Sequence, residues 1–243
     1  MRNWNPEEYK RLVERTKDPH LREIMRREKL HIKECVSGSK SRTAVDSGTG
    51  TGRLIPFLSK LFYDVIAVDI NPKMVEEARK RARPYKNVNV VQGDIVELDK
   101  VLDGYGIETR MPVVISALNT LGTSEGDPYE MISGMKKVAK KDGEMVITLF
   151  CKYSLKYWGI KMYEKLQSLV GKPDLSKCDF KKGMFKTEYG YSSKWWSLEE
   201  ISDIFTRLED LVSVEWVNPY FYIIHADYTG RGELIKIGYK GLK

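Results

Sequence analysis

Apolar residues along this chain fall into short runs separated by stretches of a different period. The runs at 43–47, 64–69, 88–92, 112–118 and 144–151 are rich in Val, Ile and Ala and show little polar alternation. Runs of that length and composition predict strands covered on both faces. Between them, 53–61, 72–84 and 128–140 carry apolar residues at helical spacing. A repeated strand–helix alternation predicts a parallel sheet with right-handed crossovers.

Outside this block the pattern differs. Residues 6–36 read as helix in two pieces, because Asp18 offers an N-cap and Pro19 suits a first turn. Residues 37–42, SGSKSR, form a polar link. After Cys151 the alternation is lost, and 152–196 are rich in aromatics and lysine, with a turn at Gly171-Lys172-Pro173. A helix restarts at Ser197, whose spacing to Glu200 is that of a capping box. Two apolar stretches, 211–217 and 220–227, are joined through Asn218-Pro219 and predict an antiparallel pair at the sheet edge. The expected fold is α/β: a doubly wound, mostly parallel seven-stranded sheet with helices on both faces. N-terminal helices over 1–42 would form a lid on a main domain over 43–243, with an aromatic-rich cap inserted at 152–196.

Composition narrows the class. A length of 243 residues fits one domain of this kind. A hydrophobic share of 42% and a charged share of 31% describe an ordinary globular chain. No apolar run approaches the roughly 20 residues of a membrane span, so no membrane partner is expected. MRNWNPEEYKRL lacks the apolar segment of a secretory signal. Cys35, Cys151 and Cys178 are odd in number and far apart, which argues against a disulfide framework or metal knuckle and fits a reducing cytoplasm. The net charge of +7 would draw anions, but basic residues are interleaved with acids, as in VEEARKRARPYK, the pattern of a solvated, salt-bridged surface.

The candidate chemistry begins at AVDSGTGTGRL, residues 44–54. A dinucleotide turn needs a small residue at its sixth position, and counting from Gly48 that position holds Arg53. Gly52-Arg53-Leu54 is not the Gly-Lys-Ser/Thr of a triphosphate-binding loop. What remains is an acidic residue two places before alternating glycines.

In this turn and three later strand ends the chain resembles the class I (Rossmann-like) S-adenosylmethionine-dependent methyltransferases, and in its Trp195-Trp196-Ser197 stretch the small-molecule branch of that family. The resemblance covers roughly 43–151. It implies S-adenosylmethionine as cofactor, with Asp46 taking the methionine amino group and Gly48, Thr49, Gly50 and Gly52 passing the backbone along methionine and ribose. It implies Asp69, followed by Ile70, on the ribose hydroxyls; Met74 against the adenine; and Gly93-Asp94-Ile95 as the adenine-binding turn. The loop Ser116 to Leu121, with Ser116 and Leu118, would face the transferable methyl. Asn119 is the candidate that orients the acceptor, and Tyr9 the candidate that closes over the sulfonium.

Absences then narrow the acceptor. Ala117-Leu118-Asn119-Thr120 is not the Asn/Asp-Pro-Pro-Tyr/Phe of amino-purine and glutamine methylases, and Asn218-Pro219-Tyr220-Phe221 reads as a turn. No cysteine has a Pro-Cys setting, and no carboxylates near the fourth strand's end suggest a metal. Of the aromatics in 150–196, most are expected in the cap's own core. His20 and His31 lie on charged helices, and His225 reads as structural. The expected activity is transfer of a methyl group to N or O of a small molecule. RNA methylation is the alternative, and the oligomeric state stays open.

Overall fold

The computed structural model describes residues 5–35, 42–140, 142–217 and 219–229. The expected link at 37–42 lies outside them except for Arg42, as does Asn218 of the expected turn. Strands in chain order are β1 Thr43–Ser47, β2 Asp64–Asp69, β3 Val88–Gln92, β4 Val113–Ser116, β5 Glu144–Phe150, β6 Met184–Lys186, β7 Ser192–Lys194, β8 Ser213–Val217 and β9 Phe221–Asp227. The α-helices are α1 Pro6–Tyr9, α2 Pro19–Cys35, α3 Ile55–Leu61, α4 Pro72–Ala82, α5 Leu98–Gly104, α6 Thr120–Thr123, α7 Pro128–Ala139, α8 Ile160–Lys165, α9 Gln167–Val170 and α10 Leu198–Arg207. Wider π turns follow α1 at Lys10–Glu14 and precede α8 at Leu155–Gly159.

Seven strands form one sheet in the order β3-β2-β1-β4-β5-β9-β8. The first five are parallel, whereas β9 pairs antiparallel with β5 and β8, as the terminal apolar pair predicted. Every residue of β1, β4 and β5 is buried, which explains their lack of polar alternation. On one face the core joins Leu98 and Leu102 of α5, Met131 and Met135 of α7, and Ile201 and Phe205 of α10. On the other it joins Leu21, Ile24 and Ile32 of α2 with Leu58 of α3, and Ile55 packs with Ala78 of α4.

The direction of winding positions the site. From β1 the chain steps outward through β2 to β3, then crosses back to the other side of β1 at β4. Right-handed crossovers put α3 and α5 on opposite faces, so a crevice opens beyond the C-terminal ends of β1 and β4.

The structure departs from the expected boundaries at β4, which ends at Ser116 rather than 118. Leu118 and Asn119 adopt left-handed φ of 51° and 62°, and that turn cannot continue a strand. The insertion leaves the sheet at Cys151 and returns at Trp196. These two residues bridge side by side, with Trp196 N–H donating to Phe150 O at 2.8 Å and Lys152 N–H to Trp196 O at 2.7 Å. Within it, Phe185 stacks on Tyr163 and Trp195 packs edge-on to Trp158, as the core reading expected. Tyr153, Tyr157 and Tyr189 are exposed instead. Tyr157 lies on the π turn at Leu155–Gly159, and Tyr189 lies between β6 and β7.

At the opposite end of the sheet Glu144 accepts from Arg42 and lies 2.8 Å from His225 Nε2, so His225 is a structural partner remote from the crevice. His31 meets the His225 ring edge-on at 5.2 Å. Burial opposes the Glu144 charge, but hydrogen bonds from His225 and Arg42 outweigh it and hold its pKa down to about 2. Because the folded value lies below the ordinary 4.5, this stabilisation is present above about pH 4.5 and is lost as pH falls toward 2. Glu144→Gln is expected to cost about 3 kcal/mol in denaturant unfolding at pH 7, since it removes the carboxylate charge that faces the buried Arg42 guanidinium. The gap from wild type should narrow between pH 4.5 and 3.

Candidate active site

A cavity of about 600 Å³ occupies the crevice, within the size range of small-molecule sites. Its inner wall is the turn after β1. Gly48, Gly50 and Gly52 there have φ of 79°, 59° and 79°, a region side chains avoid. The N–H groups of Gly48 and Thr49 both donate to Val68 O, and Gly50 N–H donates to Asp69 Oδ2 at 2.8 Å. A Cβ on Gly48 would come within 2.3 Å of Thr120 Cγ2, so this glycine admits the loop after β4. Beside Gly50 the nearest atom is Tyr9 Cε1, at 4.0 Å, and the backbone there is open to the cavity. Gly52 instead faces Ile55 and Ala78 and serves the packing of α3 on α4.

Three aspartates at strand ends border the cavity. Asp46 is buried, with Oδ2 accepting from the Thr49 hydroxyl at 2.6 Å. Burial pushes its pKa up to about 6, against the pull of Thr49 and Arg53. Asp69 accepts from Asn71 N–H at 2.9 Å as well as from Gly50, and burial raises it despite both bonds. Asp94 caps the short 3-10 turn Ile95–Glu97 by accepting from Val96 N–H, so the plain capping role and a place at the cavity coexist. Thr49, Ile70, Met74, Ile95 and Leu118 also line the cavity.

Tyr9 reaches the same space from α1, and burial holds its phenol well above the ordinary value, hence protonated. The segment carrying it is pinned: Lys10 pairs with Glu77, Glu14 takes Arg81 at 2.8 Å, and Thr51 donates to Glu14.

Besides Gly52, which the packing of α3 on α4 claims, three expected residues are placed elsewhere. Asn119 is fully buried and off the cavity: Oδ1 accepts from Phe150 N–H at 3.1 Å and Trp196 Nε1 at 3.2 Å, and Nδ2 donates to Lys194 O at 3.0 Å. It ties the β4 loop to the insertion and has no polar atom left to orient an acceptor. Ser116 is buried within β4 and does not reach the cavity, and Gly93 faces Val101 of α5. Trp195 and Trp196 likewise sit in the core, with Trp195 Nε1 on Tyr163 OH at 3.2 Å, rather than facing the pocket.

Sequence reading missed Glu28 and the role of Arg53. Glu28 of α2 is buried, accepting from Leu118 N–H at 2.6 Å and from Arg53 Nη2 at 2.7 Å. Only the absence of a solvent-facing reason for an acid on α2's inner face could have signalled it. The cavity also has apolar walls, with Val13, Leu21, Phe150, Met162 and Leu166 among them. Arg53 is the only lysine or arginine that borders the cavity among the described residues.

Comparison with known proteins agrees with this geometry. The family described as a methyltransferase domain matches residues 39–200. No curated protein sequence matches the chain. A SAM-dependent methyltransferase of Aquifex aeolicus has a similar structure, with TM-score 0.55 and 18% identity over 92% of this chain and 98% of its own. So has magnesium protoporphyrin IX methyltransferase of Synechocystis with bound S-adenosylhomocysteine, at TM-score 0.55, 17% identity, and 91% and 93% coverage. The 1,6-didemethyltoxoflavin-N1-methyltransferase of Burkholderia thailandensis gives TM-score 0.58 and 13% identity, covering 91% of this chain and 86% of its own. At such identities the likeness is one of fold.

Asn119→Gly keeps freedom at φ 62° but removes the side-chain bonds. It is expected to lower unfolding free energy by about 2–3 kcal/mol, because Trp196 Nε1 and Phe150 N–H are left buried and unpaired. Urea denaturation measures this.

Proposed function

The chain belongs to the methyltransferase-domain family, and from that premise we propose that it is an S-adenosylmethionine-dependent enzyme that methylates a small, largely apolar acceptor. One observation carries the reading: a single cavity is lined by the strand-end carboxylates Asp46, Asp69 and Asp94 together with apolar side chains such as Phe150, Met162 and Leu166. The residues present suit this cofactor. Its ammonium, ribose diol and exocyclic amine are all hydrogen-bond donors, and Asp46, Asp69 and Asp94 are acceptors. A cation beside Asp46 offsets the burial that raises its pKa, and the open backbone at Gly50 leaves space for a ligand chain. A pyrophosphate would meet repulsion from the same groups.

When bound, the cofactor supplies an electrophilic methyl carbon on a sulfonium. The protein's own part is to fix positions and exclude water. Asp46 and Asp69 hold the polar end, Tyr9 covers the turn from α1, and Phe150, Met162 and Tyr191 form a dry acceptor wall. We assign 1–42 as the N-terminal lid and 152–196 as the acceptor cap. A small acceptor is supported by these walls, because Arg53 is the only lysine or arginine on the cavity among the described residues and Glu28 holds its Nη2 arm, so no row of cations meets a phosphate chain. The structurally similar magnesium protoporphyrin IX and 1,6-didemethyltoxoflavin methyltransferases are named for small-molecule acceptors. Among the described residues no helix is long and apolar enough to cross a membrane, and the free thiols of Cys151 and Cys178 suit the reducing cytoplasm in which we place the enzyme.

S-adenosylhomocysteine is expected to raise the melting temperature while NAD does not, and Asp69→Ala should abolish the shift. Equal shifts in wild type and variant would overturn the ribose assignment. Affinity should be flat from pH 7 to 8 and fall by up to tenfold per unit below about 6, as Asp46 takes a proton. Asp46→Asn should bind weakly and without this slope. With labelled cofactor, label is expected in small amines or acids and not in bulk tRNA; label in RNA alone would overturn the acceptor class.

A further inference from the structure

The chain's positive charge is not spread evenly. The insertion at 152–196 holds ten lysines, no arginine and four acids, so these 45 residues carry six of the seven net positive charges. Five of the lysines are held by acids, among them Lys165 by Asp18 and Lys177 by Asp174. Lys156, Lys161, Lys172, Lys181 and Lys186 are exposed and meet no carboxylate among the described residues. Contacts gather several lysines together: Lys156 Nζ stands 5.3 Å over the Phe180 ring, Lys152 lies beside Gly183, and Lys194 donates to Lys182 O. The π turn at Leu155–Gly159 and the loop leading into β6 thus share one basic face. Tyr153 and Tyr157, chain neighbours of Lys152 and Lys156, are 54% and 48% exposed.

The inner side of the same insertion is apolar. Met162 and Tyr163 of α8 line the cavity with Leu169 and Val170 of α9, whereas Lys161 and Lys165 of α8 are exposed. We infer that the basic face docks the enzyme on the surface of an anionic lipid bilayer, from which a lipophilic acceptor reaches the cavity. Lysine heads are point charges that suit a diffuse negative surface, while paired grips on single phosphates favour the arginine fork that the insertion lacks. Tyrosines, with an apolar ring and a polar tip, suit the boundary between water and hydrocarbon. The expectation of no membrane partner rested on the lack of a spanning run, and lying on a bilayer requires none. The lipophilic acceptor rests on the reading that the cavity serves methyl transfer to an apolar small molecule; the docking face rests on charge and exposure.

Co-sedimentation of the full chain with vesicles tests this. Phosphatidylcholine vesicles with about a quarter phosphatidylserine should bind at least tenfold more tightly than phosphatidylcholine alone, and added salt should release the protein. Lys156→Gln, Lys161→Gln and Lys181→Gln combined should weaken binding to the anionic vesicles at least tenfold. The same change at Lys33, Lys60 and Lys86, exposed on other parts of the chain, removes equal charge and should alter binding less than twofold. Both variants should keep the wild-type melting temperature and its rise with S-adenosylhomocysteine. If a variant fails to fold, the comparison of the two vesicle types in wild type decides. Equal binding to both vesicle types would overturn the inference, as would equal losses in the two variants. Bulk tRNA that displaces the vesicles and binds more tightly would also overturn it, assigning the face to nucleic acid. Vesicle binding as expected, with no effect of S-adenosylhomocysteine on wild type, would overturn the cofactor reading and leave the docking face standing.

Discussion

The reversal of winding between β1 and β4 is the constraint on which the other features depend. Handed crossovers leave the two strand ends uncovered, and no helix of either layer can close that gap. Backbone must therefore finish there in turns, and the turns supply the chemistry. After β1 the chain passes through three left-handed glycines; after β4 it passes through left-handed Leu118 and Asn119. The two turns meet where Thr120 sits against Gly48, so the conformation of each is a condition of the other.

A buried carboxylate from outside the sheet holds this junction. Glu28 receives an N–H from the second turn and a guanidinium from the end of the first. Loss of either partner leaves charge in a low-dielectric interior, so α2 is bound to the strand ends by electrostatics as well as by Leu21 and Ile24. The N-terminal helices thus belong to the cavity's inner wall as much as to its cover.

The parallel strands were legible in the sequence because they are short apolar runs rich in Val, Ile and Ala, whereas the end of β4 was set by the left-handed turn at Leu118 and Asn119. The strand-end aspartates and the glycines were legible for a related reason: their chemistry follows from position in a strand–turn–helix unit. Asn119 failed this test. It follows the fourth strand in sequence, but its amide is recruited by Phe150, Lys194 and Trp196, partners 31 to 77 residues away that no local pattern reveals. Glu28 and Arg53 were illegible as a pair for the same reason, since an acid on an amphipathic helix looks like surface until its partner is placed. The cap's aromatics were separable into core and surface only once tertiary contacts were placed: Tyr163 stacks on Phe185, whereas Tyr153, Tyr157 and Tyr189 are exposed.

The insertion returns to the sheet beside its point of departure, and its interior is continuous with that of the main domain. Tyr163 makes the point: it borders the cavity, stacks on Phe185 and accepts the Trp195 indole N–H. The same side chain shapes substrate space and fills the core. A lineage adapting this scaffold to a new acceptor through that wall would lose stability with each trial substitution. Substitutions at looser rim positions such as Glu125 and Ser124 would leave the core intact, and drift in specificity should begin there.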